Sequence, residues 1–575
     1  MNLVPVPREV ELTGGVRGGA PATRRIDPSL PAQGYLLSID DSGVELAGAD
    51  DAGLFYGEAT LAQLLRLYDG SLPIGVIRDH PDFEVRGVML DISRDKVPKT
   101  ETLYALIERL ASLKINQLQL YSEHTFAYRN HAEVHQASSP FTAEEIVELD
   151  AFCRARYVEL VPNQNCLGHM NRWLAHARYR SLAIAPNGFT DPYGISRAPM
   201  TIEPRNPESL ALVRELLAEL LPLFSSHRVH VGLDEAWELP HERIEDFLDW
   251  VATLRGLPEL SGREMLMWGD MLTGRTDLLE RLPDGVTVCE WGYDDWYPFE
   301  ERCAALAEAG RHFWVAPGTS SWLSIVGRLT NARNTCANAA TAGLAHGAKG
   351  YLNTDWGDSG HLQQSVVSEP PFAYGAAVSW CLETNADLDL APALSTHVFD
   401  DPSGGLADAL LAVGDAHLLV TPQFPNMSAI VANLYYPQLP VGRGLTKGLT
   451  GEELDALEDR LEQARRSLDH ARSGRPDAAL LADETRFSID LVELLVDDAQ
   501  LRLEGDGTLG SVAEDARDEL ARRLADLTDR YRELWLSRNR PGGLEDSLGW
   551  LANLRSAYET GRPDPDWGGL SIASA

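Results

Sequence analysis

Short apolar runs recur through the middle of the chain, and each is followed by a longer stretch with helical spacing. Eight such runs occur between about residues 84 and 395: RGVMLDI, NQLQLY, VELVPN, VHVGLD, MLMWGD, VTVCEW, FWVAPG and GYLNTD. Nearly continuous apolar strands that alternate with helices predict a parallel sheet covered by helices. Eight such units predict a (β/α)8 barrel. The alternative is an open doubly wound sheet, but no G-x-G-x-x-G follows an early strand.

The pattern differs on either side of this region. Residues 1–83 contain alternating runs such as GYLLSI and GVELAG and one helical stretch, YGEATLAQLLRL, which predict a small α+β domain. Residues 396–575 show apolar positions spaced by three and four and predict an α-helical domain. Two sets carry that spacing: Leu454, Leu457, Leu461, Ala464, Leu468 and Ala471, and Leu520, Leu524, Leu527, Tyr531 and Leu534. This domain packs on the barrel or on a second subunit, so a homodimer is an open expectation.

The composition excludes several classes of protein. Of 575 residues 44% are hydrophobic and 24% charged, which is ordinary for a globular protein. The net charge of −36 disfavours nucleic acid and anionic membranes as partners. No apolar run approaches the length of a membrane span. The six cysteines form no C-x-x-C pair, which favours free thiols in a reducing compartment, and we expect the cytoplasm.

The segment RVHVGLDEAWEL carries the sharpest chemical signal. If its strand ends at Asp234 and Glu235, both carboxylates can enter the mouth of a barrel. Like charges this close should raise one pKa, which places an acid beside an anion, as glycosidic bond cleavage requires. The competing interpretation is a helix N-terminus, where acidic residues complement the helix dipole.

The adjacency of the two carboxylates also limits the mechanism. Most glycosidases hold their two carboxylates on opposite faces of the sugar, about 5 Å or more apart. Neighbours at one strand end suit a substrate-assisted route instead, in which the acetamido oxygen of the sugar is the nucleophile. One carboxylate then orients the acetamido group, and the other protonates the leaving oxygen.

Three segments together resemble the β-N-acetylhexosaminidases of glycoside hydrolase family 20. H-V-G-L-D-E, from His230 to Glu235, is similar to the family pattern His-x-Gly-x-Asp-Glu on strand 4. RGVMLDISR is similar to RG-x-MLD-x-x-R on strand 1, and GVELAGADDAGLFYGEATLAQLL resembles the small domain before the barrel. The resemblance covers about residues 35–380 and implies a TIM barrel that hydrolyses glycosides.

The resemblance implies a role for each matching position. Glu235 would be the general acid and base, and Asp234 would orient the acetamido group and stabilise an oxazolinium intermediate. Arg94 and Asp358 would bind sugar hydroxyls, and His169 matches the family segment after strand 3. Without the family, Arg94 would equally suit an ion pair at the rim, His169 a structural histidine and Asp358 a turn.

Aromatic residues complete the implied pocket. A single tryptophan usually belongs to the hydrophobic core, but here three tryptophans lie at the ends of predicted strands of one barrel. The family lines its pocket with such residues, which here are Trp268, Trp291 and Trp356. The tyrosine that donates to the acetamido oxygen has no clear match, and Tyr293 is the substitute. The Asp-Asp pair after strand 2 is replaced by Glu123 and His124, which is closer to the hexosaminidase D-like branch.

The resemblance therefore implies a retaining exo-β-N-acetylhexosaminidase that removes terminal β-linked GlcNAc or GalNAc through an oxazolinium intermediate. We expect a small carbohydrate substrate, no cofactor and no metal. The pH optimum should be mildly acidic to neutral, since Glu235 must be protonated while Asp234 is charged. Two alternatives are a catalytically inactive amino-sugar-binding barrel and a glycosidase with an enzymic carboxylate nucleophile, for which Glu123 and Glu290 are candidates.

Overall fold

The computed structural model describes residues 2–19, 22–192, 194–565 and 567. Along the chain, a small sheet is followed by a closed parallel barrel and then by helices, as the hydrophobic pattern predicted. The expected domain boundaries after residues 83 and 395 stay predictions.

The N-terminal unit is a five-stranded sheet with one helix against it. Its strand order is β1-β5-β3-β4-β2. Helix α1 begins after Asp50, whose side chain accepts the N–H of Gly53. The inward positions of β3 and β4, among them Leu37 and Leu46, pack with the helix residue Leu64. The elements are β1 (Glu9–Gly18), β2 (Thr23–Ile26), β3 (Tyr35–Asp40), β4 (Gly43–Gly48), α1 (Asp51–Leu67) and β5 (Ser71–Asp79).

The next ten strands contain the barrel. They are β6 (Val85–Asp91), β7 (Gln117–Ser122), β8 (Glu159–Gln164), β9 (Phe189–Thr190), β10 (Ser196–Arg197), β11 (Arg228–His230), β12 (Glu264–Trp268), β13 (Val286–Trp291), β14 (His312–Ala316) and β15 (Gly350–Asp355). All except β9 and β10, which pair with each other, form a closed parallel barrel in the order β11-β12-β13-β14-β15-β6-β7-β8. All eight predicted runs supply its strands, so the barrel prediction is confirmed and the open sheet is wrong.

Helices follow the strands and cover the barrel. Two of them begin with sequence-encoded caps: Thr142 and Glu145 form a capping box at α4, and Asn206 caps α6 ahead of Pro207. The helices are α2 (Thr100–Ser112), α3 (Ala132–His135), α4 (Ala143–Arg154), α5 (Asn171–Leu174), α6 (Pro207–Leu220), α7 (Ile244–Arg255), α8 (Thr276–Leu279), α9 (Phe299–Glu308), α10 (Leu329–His346), α11 (Glu369–Trp380), α12 (Leu382–Asn385) and α13 (Leu390–Ala393).

From residue 396 to 565 the described chain contains helices and no strand. The leucines predicted to share one face are buried in α16 and α18. Among the described residues, no helix is both long enough and apolar enough to cross a membrane. The helices are α14 (Gly405–Gly414), α15 (Ala432–Tyr435), α16 (Gly451–His470), α17 (Ala478–Leu503), α18 (Glu514–Arg538) and α19 (Leu544–Thr560).

These helices pack against the carboxyl rim of the barrel, meaning the loops that follow the C-terminal ends of its strands. The N–H of Lys99 donates to the carbonyl of Arg538, and the N–H of Arg540 donates to that of Val97. Gly543 has a φ of +80°, and a Cβ there would lie 1.9 Å from the carbonyl oxygen of Asp95. Only glycine permits this approach, so the helical region is seated closely on the rim.

A buried ion pair joins the N-terminal sheet to the barrel. The ammonium of Lys114 lies 2.9 Å from Oδ2 of Asp79. The same oxygen accepts hydrogen bonds from Tyr35 Oη at 2.7 Å and from Trp380 Nε1 at 2.9 Å. Both charged side chains are almost fully buried. Because Asp79 ends β5 and Trp380 ends α11, this cluster fixes the sheet against the barrel.

Candidate active site

An open pocket lies at the carboxyl rim of the barrel. Its cavity volume is about 80 Å³. Its lining comes from the last residues of β12 and β13, from the loops after β6, β11, β13 and β15, and from one loop of the helical region. Eight of the ten predicted site residues line it, together with Asn426: Arg94, Asp234, Glu235, Trp268, Trp291, Tyr293, Trp356 and Asp358. The other two contact lining residues, Glu123 contacting Arg94 and His169 contacting Asp234.

Asp234 and Glu235 stand on a loop rather than on a strand. Strand β11 ends at His230, four residues earlier than the pattern predicted, and no helix begins at the pair. The chain then turns sharply, with φ of +71° at Gly232, +76° at Leu233 and +50° at Glu235. Non-glycine residues in this conformation cost energy and persist where the surrounding structure demands them. Here the turn directs two successive carboxylates into one pocket.

The loop after β8 presses against this turn. A Cβ at Gly168 would lie 2.3 Å from the carbonyl oxygen of Asp234, so this position must be glycine. The next residue, His169, also has a positive φ of +52°. The close approach places its imidazole beside both carboxylates.

His169 links the two carboxylates. Its Nε2 lies 3.2 Å from Oδ2 of Asp234 and 3.3 Å from Oε2 of Glu235. Burial alone would lower the pKa of His169, but the charge of Asp234 raises it well above its usual value. Burial would likewise raise the pKa of Asp234, but His169, Arg94 and a 2.8 Å hydrogen bond from Asn165 lower it. Asp234 is therefore an anion at neutral pH, beside an imidazolium.

Arg94 supplies the second cation of the site. Its guanidinium lies 3.2 Å from Asp91, 3.5 Å from Glu123 and 4.0 Å from Asp358. Burial raises the pKa of Asp358 to about 6, although Arg94 opposes the shift. Burial also raises the pKa of Glu123, against the charges of Arg94 and His169. A chain of close contacts thus runs from Arg94 through Glu123 and His169 to the paired carboxylates.

Aromatic rings form the walls of the pocket. Trp291 and Tyr293 stack with ring centroids 5.1 Å apart, and Trp268 lies 5.8 Å from Trp356. The indole N–H of Trp356 donates to Tyr293 Oη at 2.8 Å. The guanidinium of Arg94 lies 5.0 Å from the Trp356 ring. Such walls offer flat apolar faces with polar edges, which suit the apolar face of a pyranose.

Three residues near the carboxylates were not predicted from the sequence: Asn165, Asp270 and Asn426. Asn165 donates to Asp234, and the carboxylate of Asp270 accepts the N–H of Glu235 at 2.9 Å. Burial and the charge of Asp234 raise the pKa of Asp270 to about 8. Asp270 ends the run MLMWGD, so the rule that polar residues at strand ends face the pocket could have found it. Nothing in the pattern around Asn426 marks it.

The candidate carboxylate nucleophiles lie elsewhere. Glu290 is buried and accepts hydrogen bonds from Tyr297 and, at 2.8 Å, from Thr273. Neither it nor Glu123 lines the pocket. Burial lowers the pKa of His124 to about 3, so this neighbour of Glu123 is uncharged at neutral pH.

Paired carboxylates among tryptophans at the mouth of a closed parallel barrel define a class of protein, the glycoside hydrolases. Comparison with known proteins gives the family. The model for glycosyl hydrolase family 20, catalytic domain, matches residues 83–351, and the model for domain 2 of the same family matches residues 6–80. The chain belongs to glycosyl hydrolase family 20.

Individual relatives agree with this assignment. A β-N-acetylhexosaminidase of Cellulomonas fimi is 27% identical over 56% of this chain and 65% of its own length. A β-hexosaminidase of Akkermansia muciniphila is 29% identical over 37% of this chain and 48% of its own. The matches thus span 65% and 48% of these relatives' own lengths. The family 20 β-N-acetylhexosaminidase structure from Streptomyces coelicolor aligns with a TM-score of 0.55 at 19% identity, over 69% of this chain and 96% of that chain.

Proposed function

We propose that the protein is a retaining exo-β-N-acetylhexosaminidase that removes terminal β-linked GlcNAc or GalNAc by substrate-assisted catalysis. The observation that carries the proposal is the placement of Asp234 and Glu235. One nitrogen of His169 lies within 3.3 Å of both carboxylates, so the two stand on the same side of the pocket. An enzymic nucleophile and its acid would stand on opposite faces of the sugar.

The proposed roles follow from the charges. Asp234 is anionic at neutral pH and suits the positive charge that develops on an oxazolinium ion. Glu235 would protonate the leaving oxygen and then deprotonate the water that opens the oxazolinium ion, which retains the configuration. The configuration at the anomeric carbon is inverted twice, first by attack of the acetamido oxygen and then by attack of water, so it is retained overall.

The remaining residues would hold the sugar. Arg94 and Asp358, whose charged groups lie 4.0 Å apart, would present a donor and an acceptor to hydroxyl groups of the sugar. Trp268, Trp291 and Trp356 would enclose the acetamido methyl and the ring, where exclusion of water strengthens every charge interaction.

Hydrolysis of matched nitrophenyl β-glycosides tests the proposal. The N-acetylglucosaminide or the N-acetylgalactosaminide should be cleaved, and the plain glucoside, which lacks the internal nucleophile, should not. Equal cleavage of the glucoside would require an enzymic nucleophile. No cleavage of any of the three would support the inactive amino-sugar-binding barrel.

We also infer a reducing compartment, the cytoplasm. All six cysteines are free and buried, and none forms a disulfide. Free thiols throughout a chain of this length are typical of proteins that function where thiols stay reduced.

A further inference from the structure

Of the residues that the structure describes in the helical region, one lines the pocket. Asn426, in the loop between α14 and α15, lines the same pocket as Asp234 and Glu235. Both family models end before this loop, since they match residues 6–80 and 83–351. Asn426 thus lies outside the matched residues, as Trp356 and Asp358 do, but it is the one of the three that the family resemblance does not assign.

Contacts with the barrel hold the loop in place. The N–H of Asn426 donates to both carboxylate oxygens of Asp294, at 3.0 and 3.2 Å. Asp294 follows β13 and is paired at 2.8 Å with Arg328, which is almost fully buried. The N–H of Ser428 donates to the carbonyl of Leu323 at 3.0 Å. A side chain on a backbone held in this way is positioned before any ligand arrives.

The carboxamide of Asn426 has unused hydrogen-bonding capacity. Its Oδ1 is buried and accepts no hydrogen bond from any residue that the structure describes. An unpaired buried polar atom is costly, so the Asn426 carboxamide gains from any hydrogen bond that a bound group supplies. Arg94 and Asp358 follow β6 and β15, whereas Asn426 is held by the loop after β13. The pocket thus has polar groups on two sides.

We propose that Asn426 is a specificity-determining residue whose carboxamide hydrogen-bonds a hydroxyl group of the bound carbohydrate. The assignment of the ligand rests on the proposed hexosaminidase function. An amide is donor and acceptor at once, as is a hydroxyl group, and neither carries charge. That hydroxyl belongs either to the terminal sugar or to the sugar that leaves.

Asn426 also has a φ of +60°, a conformation that asparagine tolerates better than most residues. A purely conformational role would be fulfilled equally well by glycine. Asn426→Gly keeps the turn and removes the carboxamide, so this variant separates the two roles.

The first measurement is kcat/KM of wild type and Asn426→Gly on nitrophenyl β-N-acetylglucosaminide, on the galactosaminide and on diacetylchitobiose. Loss of one neutral hydrogen bond should lower kcat/KM roughly three- to tenfold. A loss on all substrates, or a changed ratio between the two nitrophenyl sugars, places the hydroxyl on the terminal sugar. A loss confined to diacetylchitobiose places it on the leaving sugar.

Gln423→Ala is the matched control. Gln423 lies in the same loop, and its amide donates to the carbonyls of His417 and Val420 rather than lining the pocket. Its truncation should leave the substrate ratios unchanged. If both variants lower kcat/KM alike on every substrate, the loss comes from a displaced loop and not from the carboxamide, and the proposal for Asn426 is wrong.

Binding in a Glu235→Gln background decides the question independently of turnover. Tryptophan fluorescence follows titration with GlcNAc and with diacetylchitobiose. Weaker binding of either sugar after Asn426→Gly supports the proposal, even if wild type hydrolyses nothing and the proposed activity is wrong. Unchanged binding of both sugars overturns the role of Asn426 and leaves the hexosaminidase proposal standing. If neither sugar binds, both the role of Asn426 and the hexosaminidase proposal are overturned.

Discussion

Replacing His169 by asparagine should shift the acidic limb of the pH–rate profile. Asparagine is neutral and tolerates the φ of +52° at this position. The imidazolium nitrogen lies 3.2 Å from Oδ2 of Asp234, which at an effective dielectric constant of about 20 corresponds to about 5 kcal/mol. That energy corresponds to a shift of nearly four units in the pKa of Asp234, at about 1.4 kcal/mol per unit. This value is an upper limit, because the pocket is open to water and because Arg94 and Asn165 still stabilise the carboxylate. We therefore expect the acidic limb to shift by about one to two pH units.

The sign follows from the role of the carboxylate. Asp234 must be ionised for catalysis, and the charge of His169 lowers its pKa. Without that charge the pKa of Asp234 rises, so kcat/KM of the variant begins to fall at a higher pH than that of wild type. Initial rates on nitrophenyl β-N-acetylglucosaminide between pH 3 and 9 measure the limb.

His124→Asn is the control. His124 is buried, and its pKa of about 3 leaves it uncharged over most of that range. Its substitution should leave the acidic limb in place. If His169→Asn also leaves the limb in place while kcat falls, the imidazolium does not hold the pKa of Asp234 down and the electrostatic reasoning fails.

Two further variants test the site and the fold. Glu235→Gln should lower kcat at least a hundredfold on diacetylchitobiose, whose leaving group needs protonation, and much less on an activated nitrophenyl glycoside; equal losses on both would exclude Glu235 as the acid. Asp79→Asn should lower the free energy of unfolding by about 3 kcal/mol, read from the guanidinium midpoint, because it leaves the buried Lys114 without its anion. Glu45→Gln, in an exposed pair with Arg25, should cost less than about 1 kcal/mol. A similar loss for both would refute the burial argument.

Periodicity along the chain determined the architecture. Strands buried on both faces are mostly apolar, so all eight barrel strands were visible as runs, and their carboxyl ends meet at one rim whatever the details of packing. For the same reason, polar and aromatic residues at the ends of these runs predicted most of the pocket. Asp270 shows how far that rule extends, since it ends the run MLMWGD.

Only the tertiary structure decided how the carboxylates are presented. The early end of β11 and the positive φ angles at Leu233 and Glu235 depend on contacts with Gly168 and Asp270, which are distant in sequence. Asn426 enters the pocket because Asp294 binds its backbone across 132 positions of the chain. Local sequence patterns report which face of an element is buried. They carry no information about which distant loop will fill a gap at the rim, because that is decided by packing between elements.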